Sequence, residues 1–413
     1  MLNQNFTTKT FLRLTTKKDI IRFKLGKQDS DYEKKLGETA RLLTASPYNF
    51  LDIKRKKIGK NVVTTSRSIA GTYALRHIAR LLTRLYKVKQ GNRNLISNQV
   101  ARLLEENSNY WIIKADIRRF FESIPRDKLT RTLLKDRLLS PSIRKTISNL
   151  FKSVHLADKN GLPRGISISS PLSELYIRKF DRIVRAMPEV YYYARYVDDF
   201  IIFCHRDPSL VSSKISAALN ELGLEINNKK KQTLSMKSLS EKADVLSFLG
   251  YQFIVRKTPE KNDVHIRISS NRARKIKTRI VLSLLDYAKN SDVELFKDRM
   301  RFLAGNYVLK TRKNEDFRPL MGGFYFNNSL VNDHEQIRSF DKFLMSQLTA
   351  RKGSIFRHVG GPRLENAKEH LKGTSFEKGF AHRIEYDFSI ARISKIKSCW
   401  KTEFLHEKDY AEK

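Results

Sequence analysis

The chain has 413 residues, with 81 Lys and Arg against 43 Asp and Glu, a formal net charge of +38. Such an excess points to a polyanionic partner, nucleic acid first, and 40% hydrophobic residues exclude a disordered basic tail. Two cysteines, Cys204 and Cys399, exclude a disulfide framework or a Cys-based zinc site, and no long apolar run, signal peptide or lipidation motif supports a membrane role.

In chain order, KRKKIGKNVVTTSRSIAGTYALRHIARLL at 54–82 reads as a strand, a Gly-Lys-Asn turn, a β-branched strand and an amphipathic helix. In YWIIKADIRRFFESIP at 110–125, Tyr110 to Ile113 read as a strand with Asp116 just beyond it, and RRFFESI begins a helix closed by Pro125. Alone, Asp116 reads equally well as an N-cap. In LPRGISISSPL at 162–172, Gly165 lets the backbone approach a base or sugar closely, and Ser170-Pro171 opens a helix.

YYYARYVDDFIIFC at 191–204 sets Asp198 and Asp199 side by side within an apolar, β-branched and aromatic run. Adjacent acids can mark a plain hairpin tip. Here the flanks are strong strand formers with no Gly, Asn or Pro to make a standard tight turn, so the acids sit at a sharp hairpin between buried strands. Two buried carboxylates need a cation, and a hard divalent metal such as Mg²⁺ suits oxygen ligands. If the strand before Asp116 lies beside this hairpin, three carboxylates converge and can hold two Mg²⁺ ions roughly 3.5–4 Å apart, the arrangement of nucleotidyl transfer.

Further on come LNELGLEINNKKKQTL at 219–234 and FLGYQF at 248–253. SSNRARKIKTRIVLSLLDYAKN at 269–290 then places Ile276, Ile280, Leu284 and Tyr287 on one helical face and Arg272, Lys275 and Arg279 on a neighbouring one. Helices are expected over DVELFKDRMRFLAGNYVL and DHEQIRSFDKFLMSQL. From about residue 346, basic and aromatic residues interleave, which fits either a surface for structured RNA or a packed C-terminal lobe.

These segments, in this order, resemble reverse transcriptases. Tyr196-Val197-Asp198-Asp199 is similar to the family's Y-x-D-D box and Asp116 to its first metal aspartate; the 161–177, 219–234 and 248–253 segments resemble the L-P-Q-G…S-P-x-L, L-G-L-x-L-N-x-x-K-T and F-L-G-Y motifs. The resemblance implies an α+β right-hand polymerase: fingers and palm (antiparallel sheet plus helices) over 1–260, a helical thumb over 261–345, and a basic C-terminal extension over 346–413. It implies Asp116, Asp198, Asp199 and the carbonyl of Ile117 as metal ligands, and two Mg²⁺ ions as cofactor. Lys57 and Arg67 would clamp the triphosphate of the incoming deoxynucleotide, and Phe121 would exclude the ribose 2′-hydroxyl. Gly165 and Arg164 would line the nascent pair, with Arg164 departing from the usual Gln. Lys230 would stand near the departing pyrophosphate, although a solvated run of Lys229, Lys230 and Lys231 fits equally. Arg272, Lys275 and Arg279 would track a primer-template backbone.

Within the family, the look is that of bacterial defence-associated (unknown-group) enzymes, retron and group II intron-like, and most of all the smaller enzyme of the type 3 two-reverse-transcriptase system. That implies a cytoplasmic bacterial protein with an anti-phage role, a non-coding RNA template, a DNA product, a second reverse transcriptase as partner, and room for homo-oligomers. The alternatives are a retron or intron-type enzyme with maturase function, or a non-catalytic RNA-binding scaffold.

Overall fold

A computed structural model describes residues 3–402 except 59–60, 154–155, 157–159, 237–242 and 310–319. The chain is α+β and forms two compact units, one of Met1–Ile96 with Ser108–Lys237, the other of Ser97–Asn107 with Ser238–Lys413.

The first unit is organised by one antiparallel sheet. Strands β1 (Ile53–Ile58) and β2 (Asn61–Ser66) form a separate hairpin that runs into the helix Ile69–Leu85; Gly59 and Lys60 of its expected turn lie outside the described residues. Ser68 caps that helix by accepting from the Gly71 N–H at 2.9 Å. Strands β3 (Trp111–Asp116), β4 (Val190–Tyr196), β5 (Asp199–Cys204) and β6 (Gln232–Ser235) pair in the order β4-β5-β3-β6. The central strand β5 is buried along Phe200–Cys204, which is why its sequence is a continuous apolar run rather than an alternating one. The helix Ser169–Arg185 packs on β4, and its Ile177 and Phe180 share a core with Phe200 and Ile202. Pro171 stands in its first turn, as expected. Asp116 is the last residue of β3 and not a residue beyond it, because the pairing with β5 continues to Asp116 opposite Asp199. The helix after it is a single turn, Phe120–Ser123.

In the second unit, β7 (Asp244–Phe248), β8 (Tyr251–Arg256) and β9 (Asp263–Ile268) form a meander. β8 alternates, with Tyr251, Phe253 and Val255 buried. The β7–β8 turn puts both Leu249 and Gly250 at positive φ. Amide side chains finish the outer edge of β9: Ile266 N–H donates to Asn332 at 2.6 Å and Ile268 N–H to Gln336 at 2.7 Å. This meander, grouped with the palm in the sequence reading, clusters here with the helices that follow. In the helix Ser270–Asn290, Ile280, Leu284 and Tyr287 are buried as their spacing requires, and Ile276 is half-buried. Residues beyond 346 fold back onto this lobe. Trp400 is buried and donates from Nε1 to Ser283 at 3.0 Å, and Arg299, only 1% exposed, donates to Asp286 at 2.6 Å and to the Ile396 carbonyl at 3.2 Å.

Candidate active site

The β3–β5 register sets Asp116 opposite Asp199, and the β4–β5 hairpin turns through Val197 and Asp198, with Tyr196 paired to Asp199. Carboxylate oxygens of Asp116, Asp198 and Asp199 therefore lie within 4.8 Å of one another. Val197 has φ +60, in the left-handed region, which costs a β-branched residue about 1–3 kcal/mol and persists only where neighbours over-determine it. The Ile117 N–H donates to the Asp198 carbonyl at 2.9 Å, and Asn227 N–H to the Asp116 carbonyl at 2.8 Å, so both ends of the acid cluster are held by backbone.

The cluster is short of positive charge. Burial, then the charges of Asp198 and Asp116, push the Asp199 carboxyl up to about 6; burial and Asp116 also raise Asp198. Among the described residues, the ion-pair partner in reach is Lys230, whose ammonium lies 3.0 Å from Asp116 and is 57% exposed. Burial opposes its charge, but the bond to Asp116 and the surrounding carboxylates hold its pKa above the ordinary lysine value. Asn227 Nδ2 donates to the other Asp116 oxygen at 3.0 Å. The structure thus brings Lys230 to the acids and leaves Lys229 exposed. A donor set made only of carboxylate oxygens, with excess negative charge and no imidazole or thiolate, fits a hard divalent cation.

The other sequence-predicted residues distribute as follows. Phe120 is buried, whereas Phe121 is half-buried beside it, with the Arg164 guanidinium 5.0 Å above its ring. Arg164 is held bidentately by Glu122, at 2.6 and 3.2 Å. The backbone approach that requires Gly165 is made by the chain itself: Gly165 has φ +97, and a Cβ there would come within 2.5 Å of Val63 and 2.6 Å of the Thr64 carbonyl. Thr64 N–H donates to the Arg164 carbonyl at 2.6 Å, tying β2 to this loop. Arg67 is exposed just past β2, and its backbone N–H donates to Asp52 at 3.0 Å. Lys57 is exposed on β1, opposite Val62.

In the second unit, Lys275 is exposed. Arg272 donates to the Gly250 and Asn327 carbonyls at 3.4 Å, and Arg279 lies 5.4 Å over the Trp400 ring, so both also serve the packing of that lobe.

Sequence reasoning missed Glu122, Asn227, Arg195, Glu174 and Asp181. The signal for the last three was present: an arginine in a strand of buried character needs acids, and Glu174 and Asp181, seven apart on one helix, share a face.

A strand pair that carries three converging carboxylates on an antiparallel sheet flanked by helices defines a palm-type nucleotidyl-transfer centre. Residues 53–253 match the family model described as reverse transcriptase (RNA-dependent DNA polymerase). Residues 53–253 therefore form a reverse-transcriptase-family domain, and its clustered aspartates support nucleotidyltransferase catalysis. No curated protein matches the chain in sequence.

Among solved structures, apo telomerase from Candida tropicalis truncated from its C-terminal domain is 14% identical, with TM-score 0.35, over 50% of this chain and 53% of that one. Telomerase from Candida albicans in complex with a fragment of telomeric RNA is also 14% identical, with TM-score 0.35, over 82% and 55%. The chain therefore spans about half the length of these structures. Among the described residues, no helix is long and apolar enough to cross a membrane.

Proposed function

We propose that this protein is an RNA-directed DNA polymerase of the retron and group II intron-like type, adding deoxynucleotides to a primer along an RNA template. The observation that carries the reading is the cluster of Asp116, Asp198 and Asp199, with oxygens within 4.8 Å, inside a reverse transcriptase domain. Two Mg²⁺ ions held by these carboxylates and the Ile117 carbonyl would activate the primer hydroxyl and stabilise the leaving pyrophosphate.

The chain's own residues do the rest. Asn227 and Lys230 orient Asp116, and Lys230, charged and partly exposed beside the acids, would give the proton to the departing pyrophosphate. Arg67 and Lys57 bind the triphosphate, Arg67 by a bidentate fork and Lys57 as a point charge. Phe121 presents its ring to the sugar, braced by Arg164, and Gly165 keeps that loop close against β2. Lys275, with Arg272 and Arg279 on the same helix, contacts the duplex backbone.

The narrower role is anti-phage defence in the bacterial cytoplasm, in which a dedicated non-coding RNA is copied alongside a second reverse transcriptase. It rests on the resemblance of RGISISSPLSELYI, YYYARYVDDFIIF and LAGNY…GGFYFNN to that lineage.

The test is to purify the protein with its bound nucleic acid, sequence the RNA, and supply Mg²⁺ with deoxynucleotides. Copying of one bound RNA into a defined DNA supports the polymerase; a short structured non-coding species supports the defence role, and an intron supports the maturase instead. RNA bound without any incorporation overturns catalysis in favour of a scaffold.

A further inference from the structure

The turn that carries Asp198 needs an explanation that the metal cluster does not give. Val197 sits at φ +60, and in a two-residue hairpin this is the position where glycine is the usual occupant. A valine stays there only if the surroundings fix the turn. One of the two bonds that fix it is the Ile117 N–H to the Asp198 carbonyl. The other comes from Arg195, whose Nη1 donates to the Val197 carbonyl at 2.9 Å.

Arg195 itself has no freedom. Its side chain is 6% exposed. Nε and Nη2 donate to Asp181 at 2.8 Å each, and Nη1 and Nη2 donate to Glu174 at 3.2 and 2.7 Å. Tyr193 donates its hydroxyl to Asp181 at 2.6 Å. With the Val197 carbonyl, these bonds match the five N–H donors of a guanidinium one for one. The two acids set the plane of the fork, and the donor left over is delivered to the turn. Both acids stand on the helix Ser169–Arg185, so a rigid element is connected through one planar group to the residue before Asp198. A lysine could balance the acids but could not reproduce the fork.

We infer that Arg195, oriented by Glu174 and Asp181, is a positioning residue that holds the Val197-Asp198 turn in the strained form that aims Asp198 at Asp116 and Asp199. This rests on the polymerase reading only in taking Asp198 as a metal ligand.

The test uses the full chain with Arg195→Lys, which keeps a cation between the acids, and with Val197→Gly, which relieves the left-handed strain. Mn²⁺ binding is read by electron paramagnetic resonance without nucleotide, beside kcat and KM for a deoxynucleotide. Arg195→Lys is expected to weaken Mn²⁺ binding and lower kcat by roughly 10–100-fold, the range for groups that orient metal ligands, with KM little changed. Adding Val197→Gly to it should restore most of both losses, which a purely structural arginine would not allow.

If Arg195→Lys does not fold, Glu174→Gln, which loosens the fork while keeping Asp181, should show the same pattern several-fold smaller, again relieved by Val197→Gly. Unchanged Mn²⁺ affinity and kcat in a folded variant, or no relief by Val197→Gly, overturns the inference. A wild-type protein that neither binds Mn²⁺ nor incorporates nucleotide overturns the polymerase reading instead.

Discussion

Two charge clusters meet on the β4–β5 hairpin, and they are built on opposite plans. Around Arg195, every guanidinium N–H has an acceptor and the acids face a buried cation. Around Asp116, Asp198 and Asp199, the one ion pair among the described residues is that of Asp116 with the half-exposed Lys230, and Asp199 is pushed up to about 6. A closed cluster of this kind fixes the backbone and side chains around it. An open one raises the energy of the fold and is explained by what it is kept ready to bind. Arg299 with Asp286 and the Ile396 carbonyl repeats the closed plan in the second unit.

The largest effect should separate the two plans. Asp198→Ala with Asp199→Ala is expected to lower deoxynucleotide incorporation by on the order of 10³-fold or more, through loss of transition-state charge stabilisation. The same change should raise the melting temperature in chelator, because it relieves repulsion between carboxylates within 4.8 Å. Mg²⁺ should raise the melting temperature of the wild type and not of the variant. A melting temperature that falls on substitution would mean the aspartates are closed into the fold after all.

Breaking a closed cluster should do the reverse. Arg299→Met leaves Asp286 without its buried partner, and is expected to cost about 3–5 kcal/mol in urea unfolding. The folded fraction should keep the wild-type response to Mg²⁺. A loss of Mg²⁺ response with little loss of stability would contradict the contrast.

How far the sequence revealed this arrangement follows the same division. The aspartates were legible because ionisable residues in an apolar strand run contradict their surroundings; both flanking strands were expected to be buried, which holds for β5, whereas β4, at the sheet edge, is half-buried along most of its length. The β1–β2 hairpin and its helix were legible from β-branched alternation followed by a 3.6-residue period. The closed clusters were legible only in part: an arginine in such a strand calls for acids, but the sequence does not say which ones. Arg195 stood in plain view beside Tyr196, but its partners lie on a helix before it in sequence, and only the packing of that helix on β4 brings them together. Gly165 was read as making room for a base or sugar, whereas the nearest occupant is β2, a contact that local sequence does not encode. Arg164 was read as lining the nascent pair, and its partner Glu122, three residues before the end of RRFFESIP, was passed over as part of a helix.

A smaller effect bears on the sugar wall. Phe121→Ala should lower discrimination against ribonucleotides by about 10-fold or more, read as the ratio of kcat/KM for the paired nucleotides. Phe120 is buried, so Phe120→Ala should instead cost about 3–5 kcal/mol of stability. If discrimination survives Phe121→Ala, the ring that limits the sugar lies elsewhere.

The smallest effect asks whether the Glu122–Arg164 pair belongs to the closed plan or the open one. Both side chains are about a third exposed, so solvent screens the pair and its contribution to stability is about 1 kcal/mol or less. Glu122→Gln should therefore leave unfolding almost unchanged while releasing the guanidinium that lies over Phe121. If Arg164 is a brace, ribonucleotide discrimination should weaken toward that of Phe121→Ala, and the salt dependence of template-primer binding should stay as it was. If Arg164 turns to a phosphate once freed, the log–log salt slope should steepen by about one and discrimination should hold. The bidentate geometry and the ring contact favour the brace, since a guanidinium committed to a carboxylate at 2.6 Å and stacked on an aromatic face has little left to offer a phosphate.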